Sequence, residues 1–421
     1  MRLSGAVVAF SARLTKYPLC ESSCAFLLPR QSSLRQPSAS ITSKAVRGEV
    51  IKPAPFPYRK KKFGSLQSWY DRTSSRMDEN SKVIVVDGPP AAGKTEVAKE
   101  IAELLDFLYV PEAHTDLVYI NSYGYDMKQL DPQLPPRARS FTMDDFNKNP
   151  FDERAAHLQL LMYKMRYLQY IDVLTHVLNT GQGVVLDRSV YSDSVFLNAM
   201  TKNGYVSKKF RWAYNELRRT TIRELMRPHL VVYLDVSVDE VLKRLKKRGE
   251  ENSKALTKQY VSDLENFYKH EYLKGIEEHA HLLVYDWNEA PEAGDVEGMI
   301  EDIERLEFAK HEEDEHDPKM KDWWWPVEEE LAEKRYKYSS KREELMSYFI
   351  MPGAFYDCPE VWLSSEETET FQRIWENAPG HKYFPGYNAS MGDTNLLFKY
   401  KSDYRLHTYQ PARRSWWIPE K

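Results

Sequence analysis

Cysteine is scarce in this chain: among 421 residues only Cys20, Cys24 and Cys358 occur. Three is an odd number, so no closed disulfide framework is available, and the usage fits a reducing compartment. The Cys20/Cys24 pair has no companion Cys or His cluster to complete a zinc site. Long apolar runs are missing too. No stretch approaches the ~18 residues needed to cross a bilayer, so any membrane association is expected to be peripheral. Charge of one sign is not in large excess. The net charge of -4 gives no general case for nucleic acid as a partner. The chain also lacks a flavin fingerprint, a haem ligand set and an iron–sulfur cysteine cluster. Any redox chemistry it serves is expected to lie in partners. No internal repeat is present.

Acid is nearly absent from the first 48 residues. Arg2, Arg13, Lys16, Arg30, Arg35, Lys44 and Arg47 are opposed only by Glu21, and serine recurs throughout. An Arg-rich, Ser-rich, acid-poor start has the composition of a mitochondrial transit peptide. The apolar stretch Gly5–Phe10 is too short for a secretory signal. Residues 49–81 are polar and basic, with a charge run from Arg59 to Lys62, and read as a linker or extended arm.

A hydrophobic content of 42% is enough for a sizeable core. Lys82–Asp87 is a short, β-branched apolar run, as expected of a strand buried on both faces of a parallel sheet. Phe107–Val110, Val184–Leu186, Leu230–Leu234 and Leu282–Tyr285 have the same character. Helical patterns alternate with them: Thr95–Leu105, and a long one over Arg154–Asn179 with Leu158, Leu161, Met162, Met165, Leu168, Ile171 and Leu174 on its apolar face. Gly181 stands just past the long helix as a C-cap. This alternation predicts an α/β fold over residues 82–290, a doubly wound, parallel five-stranded sheet. Ligands of such sheets bind beyond the carboxyl ends of the strands.

The rhythm stops near Ala290. An acidic helix over Asp295–Glu315 and a charged helix from Val327 to about Tyr348 are expected, separated by Trp323-Trp324-Trp325-Pro326. The last ~70 residues are rich in Pro, Tyr and Trp without clear periodicity. Residues 291–421 therefore read as a helical and irregular extension whose aromatics, Trp323–Trp325, Tyr383, Tyr387, Trp416 and Trp417, suit docking on a large partner.

Gly88-Pro89-Pro90-Ala91-Ala92-Gly93-Lys94-Thr95 matches G-x-x-x-x-G-K-[ST], directly after a predicted strand and opening a predicted helix. Glycines let the backbone curl, so that loop N–H groups, those of Gly88, Ala92 and Gly93 among them, face inward at the positive end of a helix. Lys94 is placed to reach the β/γ-phosphates, and the Thr95 hydroxyl to coordinate Mg²⁺. Asp187 ends a strand beside this loop and can take Mg²⁺ or its waters; Arg188 can contact a phosphate or hold a neighbouring carboxylate. Arg244, Lys246, Lys247 and Arg248 follow the Leu230–Leu234 strand on a helix and can close over phosphates. The expected ligand is a purine nucleoside di- or triphosphate with Mg²⁺.

In this order the elements resemble the deoxynucleoside kinase family over residues 82–287. The resemblance implies that Glu112 stands where the family's general base would be, and Gln159 where the base edge is read. Asp187-Arg188-Ser189 takes the place of the family's E-R-S, and Arg244–Glu250 that of its lid. Two further segments are similar to one branch of the family, whose members are accessory subunits of mitochondrial NADH:ubiquinone oxidoreductase, complex I. They are Gly181–Asp193 and Pro379-Gly380-His381-Lys382-Tyr383-Phe384-Pro385-Gly386-Tyr387-Asn388, the latter followed by Gly392-Asp393. The implied partners are other subunits of that complex. The implied location is the matrix side of the inner membrane, peripheral and held through protein partners.

Two departures bear on catalysis. Family kinases follow the base with proline; here Pro111 precedes Glu112 and Ala113 follows. The lid reads Arg248-Gly249-Glu250, placing a negative charge where a second arginine is typical. A like charge facing phosphate in a partly dry site opposes the stabilisation that phosphoryl transfer depends on. The expectation is a nucleotide-holding, non-catalytic accessory subunit, with Glu112 and Arg188 as vestiges of an active site. The alternative is an active mitochondrial deoxynucleoside kinase using ATP.

Overall fold

The computed structural model describes residues 40–48, 52–59, 61–250, 253–289, 295–308, 317–325, 327–350, 352–383 and 386–394. Five strands form at the predicted runs: β1 (Val83–Asp87), β2 (Leu108–Val110), β3 (Val184–Asp187), β4 (Leu230–Asp235) and β5 (His281–Asp286). All pair in parallel, in the order β2-β3-β1-β4-β5. Val83–Asp87 and Val184–Asp187 are buried throughout, because helices cover both faces of the sheet. The register pairs Val86 with Asp187, so the P-loop after β1 and the Asp187-Arg188 turn after β3 emerge side by side. Among the described residues no helix is long and apolar enough to cross a membrane.

Helix Lys94–Leu105 buries Val97, Ala98, Ile101 and Leu105 on one face of the sheet. The long helix runs Ala155–Thr180 on the other, and ends where predicted. Gly181 is left-handed (φ 72°), and its N–H donates to Val177 O at 2.8 Å. A Cβ at Gly181 would lie 1.8 Å from the Arg76 carbonyl oxygen, so only glycine fits. The helix is not half-exposed, as its single apolar stripe implied. From Leu168 to Asn179 every residue is buried.

What covers the second face is the region after β5, and here the docking expectation is corrected for Trp323 and Trp325, while Trp324 and Tyr383 remain exposed. Trp323 and Trp325 are buried in the main core, not presented to a partner. The Trp323 indole N–H donates to Arg227 O at 2.7 Å, and its ring lies 4.0 Å from that of His229. Helix Glu328–Ser340 follows, and Lys341 breaks the expected single charged helix before Arg342–Ser347. The Arg342 guanidinium pairs with Asp172 and Tyr338 O accepts from Thr175, both partners lying on the long helix. Helix Glu328–Ser340 and the helical turn that follows it thus supply the missing half of the long helix's packing. Helix Asp295–Arg305 is shorter than expected; residues 309–316 lie outside the described residues, as do Trp416 and Trp417.

The segment before β1 also packs down. Phe56, Tyr58 and Phe63 are buried with Ala332. Ile41 is buried among the side chains of helix Lys94–Leu105, and Lys44 N donates to Leu104 O at 2.9 Å. Residues 40–48, placed by composition in the leader, therefore rest on the domain. Residues 1–39 of that leader lie outside the described residues.

Candidate nucleotide-binding site

The loop between β1 and helix Lys94–Leu105 needs backbone that side chains resist. Ala91 (φ 57°) and Gly93 (φ 89°) are both left-handed, which turns successive amides toward one concavity. A Cβ on Gly88 would stand 2.9 Å from Leu234 O, so the loop approaches β4 as closely as glycine permits. Lys94 is buried, with Nζ donating to Pro89 O at 3.2 Å. Burial, then the nearby Arg188, lower its pKa, while Glu112, Asp187 and Asp87 oppose this.

Thr95 Oγ1 donates to Asp187 Oδ2 at 2.6 Å. The other oxygen, Asp187 Oδ1, is buried and has no partner among the described residues. Burial raises the pKa of this carboxyl, and Lys94 lowers it in part. An orphaned carboxylate oxygen beside a P-loop hydroxyl fits Mg²⁺, which takes few protein ligands and completes its octahedron with water and phosphate oxygens. Thr95 and Asp187 are the residues that would hold it, and the ion would supply charge neutralisation between phosphates.

Arg188 takes the second of the two roles open to it. Its backbone is left-handed (φ 60°), which swings the side chain under the loop. Nε donates to Glu112 Oε1 at 2.7 Å, Nη2 to Gly88 O at 3.1 Å, and Nη1 to the Tyr268 hydroxyl. Its guanidinium carbon sits 4.6 Å over the Phe196 ring. Arg188 thus holds the carboxylate. Burial pushes the Glu112 pKa up, but Arg188, Lys94 and Arg166 outweigh it and hold the group at about 2. Behind the loop, Asp87 accepts from Ser192 Oγ at 3.0 Å and Tyr272 OH at 2.9 Å, and burial raises it to about 6. Tyr268 and Tyr272 both lie on a π-helical turn, Tyr268–Tyr272, a distortion that recurs at functional sites.

A cavity of about 630 Å³ opens from the P-loop, lined by Lys94, Glu112, Gln159, Arg166, Arg188 and Phe196 among others. Gln159 Nε2 donates to Asp193 Oδ2 at 2.8 Å. Asp193 also accepts from Arg166 and from the Tyr214 hydroxyl, and Arg166 reaches Glu112 at 3.2 Å. The two ends of the cavity are therefore wired together through Arg166. Arg248 and Glu250 both line its mouth and are exposed.

Most of the predicted residues converge: Gly93, Lys94, Thr95, Glu112, Gln159, Arg188 and Arg248 line this cavity. Asp187 joins them through Thr95, and Gly88 through Arg188. Arg244 does not. Its guanidinium donates outward to carbonyls, Trp287 O at 2.7 Å, Asn288 O at 3.1 Å and Ala92 O at 3.3 Å. Those carbonyls at the loop and at the end of β5 claim its donors, so it braces the P-loop from behind. Arg166 and Asp193 were missed. Arg166 stands seven residues after Gln159, two turns along the same helix face, and a charge on that apolar face was the available signal. Tyr214 and Tyr268 leave no local trace.

The deoxynucleoside kinase family model matches residues 84–321. The mouse protein NADH dehydrogenase (ubiquinone) 1 alpha subcomplex subunit 10, mitochondrial, is 37% identical over 334 residues, covering 78% of this chain and 87% of that one. A Dictyostelium discoideum deoxyguanosine kinase is 27% identical over 236 residues, 56% of this chain and 73% of its own. A solved deoxyadenosine kinase from M. mycoides with bound dCTP aligns with a TM-score of 0.39 and 18% identity, covering 52% of this chain and 97% of that one. The chain belongs to the deoxynucleoside kinase family, in the branch of the NADH dehydrogenase alpha subcomplex subunit 10 proteins.

Proposed function

We propose that this protein is an accessory subunit of respiratory-chain NADH dehydrogenase, complex I, peripheral on the matrix side of the mitochondrial inner membrane. Its cavity holds a purine nucleoside di- or triphosphate with Mg²⁺, and its contribution is to assembly and stability of the complex. The observation that carries this reading is the extent of the likeness to the mouse subunit, 78% of this chain against 56% for the slime-mould kinase. The region after β5 supports it, being built into the core and not appended to it.

The chemistry of the site is consistent with holding. Amides of the Gly88–Thr95 loop and Lys94 face the phosphates, Thr95 and Asp187 the metal, and Gln159 with its Asp193 anchor the base. Glu112 is held as a carboxylate by Arg188 and Arg166, and a carboxyl kept that acidic is a weak base for a substrate hydroxyl. Against turnover stands Glu250 at the cavity mouth, where a cation would serve the transferring phosphoryl group. A bound nucleotide stabilises the fold as RT ln(1 + [L]/Kd), which would couple incorporation to nucleotide supply.

Depletion of the protein from cells tests the reading. Native electrophoresis of solubilised mitochondria should show less assembled complex I, and NADH-driven respiration should fall while succinate-driven respiration persists. Normal complex I after complete depletion would overturn it.

A further inference from the structure

Helix Ser65–Tyr70 buries none of its six residues, yet three of them are Leu66, Trp69 and Tyr70. They are 78%, 91% and 74% exposed. Their spacing of i, i+3 and i+4 puts them on one face, so the apolar stripe that a surface helix normally turns inward here points to solvent. The support beneath is rigid. Phe63, one residue before Gly64, is buried under the Arg335 guanidinium at 3.8 Å, and its carbonyl accepts from Ser340 Oγ at 2.6 Å. Asp71, which ends the helix, is fixed by Arg76 and Arg335. The aromatics are therefore held out on a clamped element.

Cations predominate along the chain on either side of them, although Glu328 of a later helix accepts from the Thr73 and Ser74 amides just beyond. Lys61 and Lys62 precede the helix and Arg72 follows it, all exposed, with Arg59 half-buried nearby. The single acid between residues 52 and 76 is Asp71, whose carboxylate is spent on two arginines. A chain of net charge -4 thus carries one local surface of tryptophan, tyrosine, leucine and cations. Indole and phenol rings settle at the headgroup level of a bilayer, and flanking lysines and arginines pair with lipid phosphates. A partner-protein hot spot would share the aromatics, but the exposed Lys61, Lys62 and Arg72 beside them favour an anionic lipid surface.

We propose that helix Ser65–Tyr70, with Lys61, Lys62 and Arg72, seats this protein on an anionic phospholipid bilayer surface. Membership of complex I is not required, so the isolated full chain serves for the test. Flotation is measured with phosphatidylcholine vesicles made with and without cardiolipin. The expected result is binding to the cardiolipin vesicles alone, weakened by salt. Leu66→Ser with Trp69→Ser, and separately Lys61→Glu with Lys62→Glu, should each lower the bound-to-free ratio by about tenfold or more. Both variants alter exposed groups only and should keep the wild-type unfolding midpoint. The basic stretch before residue 48 is common to all the chains, so variants that bind like wild type would assign the binding to it and overturn the proposal. Absence of vesicle binding, or equal binding to both vesicle types, would overturn it as well. So would a Trp69→Ser chain that binds vesicles normally but is lost from complex I, which would make this face a protein contact.

Discussion

Thr95 Oγ1 lies 2.6 Å from Asp187 Oδ2 and donates to it, while Asp187 Oδ1 stays buried and unpartnered. Residues 92 positions apart in sequence are joined because β1 and β3 are adjacent and in register. The half-satisfied carboxylate is the strongest local indication that the cradle receives a metal-bound phosphate.

Asp187→Asn should accordingly weaken Mg²⁺-dependent nucleotide binding by about 10–100-fold, the range found when a metal's supporting carboxylate is lost. Binding measured without Mg²⁺ should change less. Lys94→Ala should abolish nucleotide retention altogether. Thermal shift with purine nucleoside di- and triphosphates, with and without Mg²⁺, reads all three. If wild type shows no shift with any of them, the loop is vestigial.

Phosphoryl transfer from ATP to each of the four deoxynucleosides should be negligible, below the ~1–100 s⁻¹ typical of kinases. The motive is Glu250 at the cavity mouth together with the altered surroundings of Glu112. Rates inside that range would promote the active-kinase alternative, since P-loop, Glu112 and Gln159 are all in place around one cavity.

His176 gives a pH dependence whose sign is fixed. It is buried; Nδ1 accepts from Tyr58 OH at 3.0 Å, and Nε2 pairs with Gln182 Oε1 at 3.1 Å. Burial lowers its pKa from 6.5 to about 4. Below pH 6.5 the unfolded chain binds a proton that the folded chain refuses. The contribution of His176 is therefore full above about pH 6.5 and is lost as pH falls toward about 4, amounting to about 3 kcal/mol at most. His176→Gln should cost about 1 kcal/mol at pH 7 through its hydrogen bonds. That gap should close or reverse at pH 5. Urea unfolding of both chains at the two pH values checks it, and a constant gap would count against the assignment.

The sheet was legible because a strand buried on both faces must be a near-continuous apolar run, and Val83–Val86 and Leu230–Leu234 are such runs. The phosphate end of the site was legible because Gly88, Gly93 and Lys94 answer local backbone and charge demands that sequence spacing preserves. The far end was not. Asp193, Arg166 and Tyr214 meet through side chains from three helices, and no spacing encodes that. Arg244 misled for the same reason: a basic residue on the correct helix says nothing about which carbonyls lie behind it. The aromatics after β5 misled because an absence of periodicity was read as an absence of core. Trp323 packs against His229, nearly a hundred residues away.

That misreading changes what truncation should do. The sequence alone implies that deletion from Trp323 onward leaves a soluble, nucleotide-binding core. The structure implies the opposite, because the deletion uncovers the long helix and removes Arg335. This arginine is fully buried: Nη2 pairs with Asp71 at 2.8 Å, Nε donates to Asn179 Oδ1 at 2.8 Å, and its guanidinium lies over Phe63 and Phe56. It ties the segment before β1, the end of the long helix and helix Glu328–Ser340 into one unit. Removing one partner of a buried ion pair costs about 3–5 kcal/mol, and Arg335→Leu should fall near the low end because Arg76 still neutralises Asp71. Chemical denaturation should therefore show a single cooperative transition shifted by about 3 kcal/mol in Arg335→Leu, and the truncated chain should aggregate or behave as a molten species. A truncated chain that is soluble, monomeric and binds nucleotide like the full one would restore the view of this region as a dispensable docking arm.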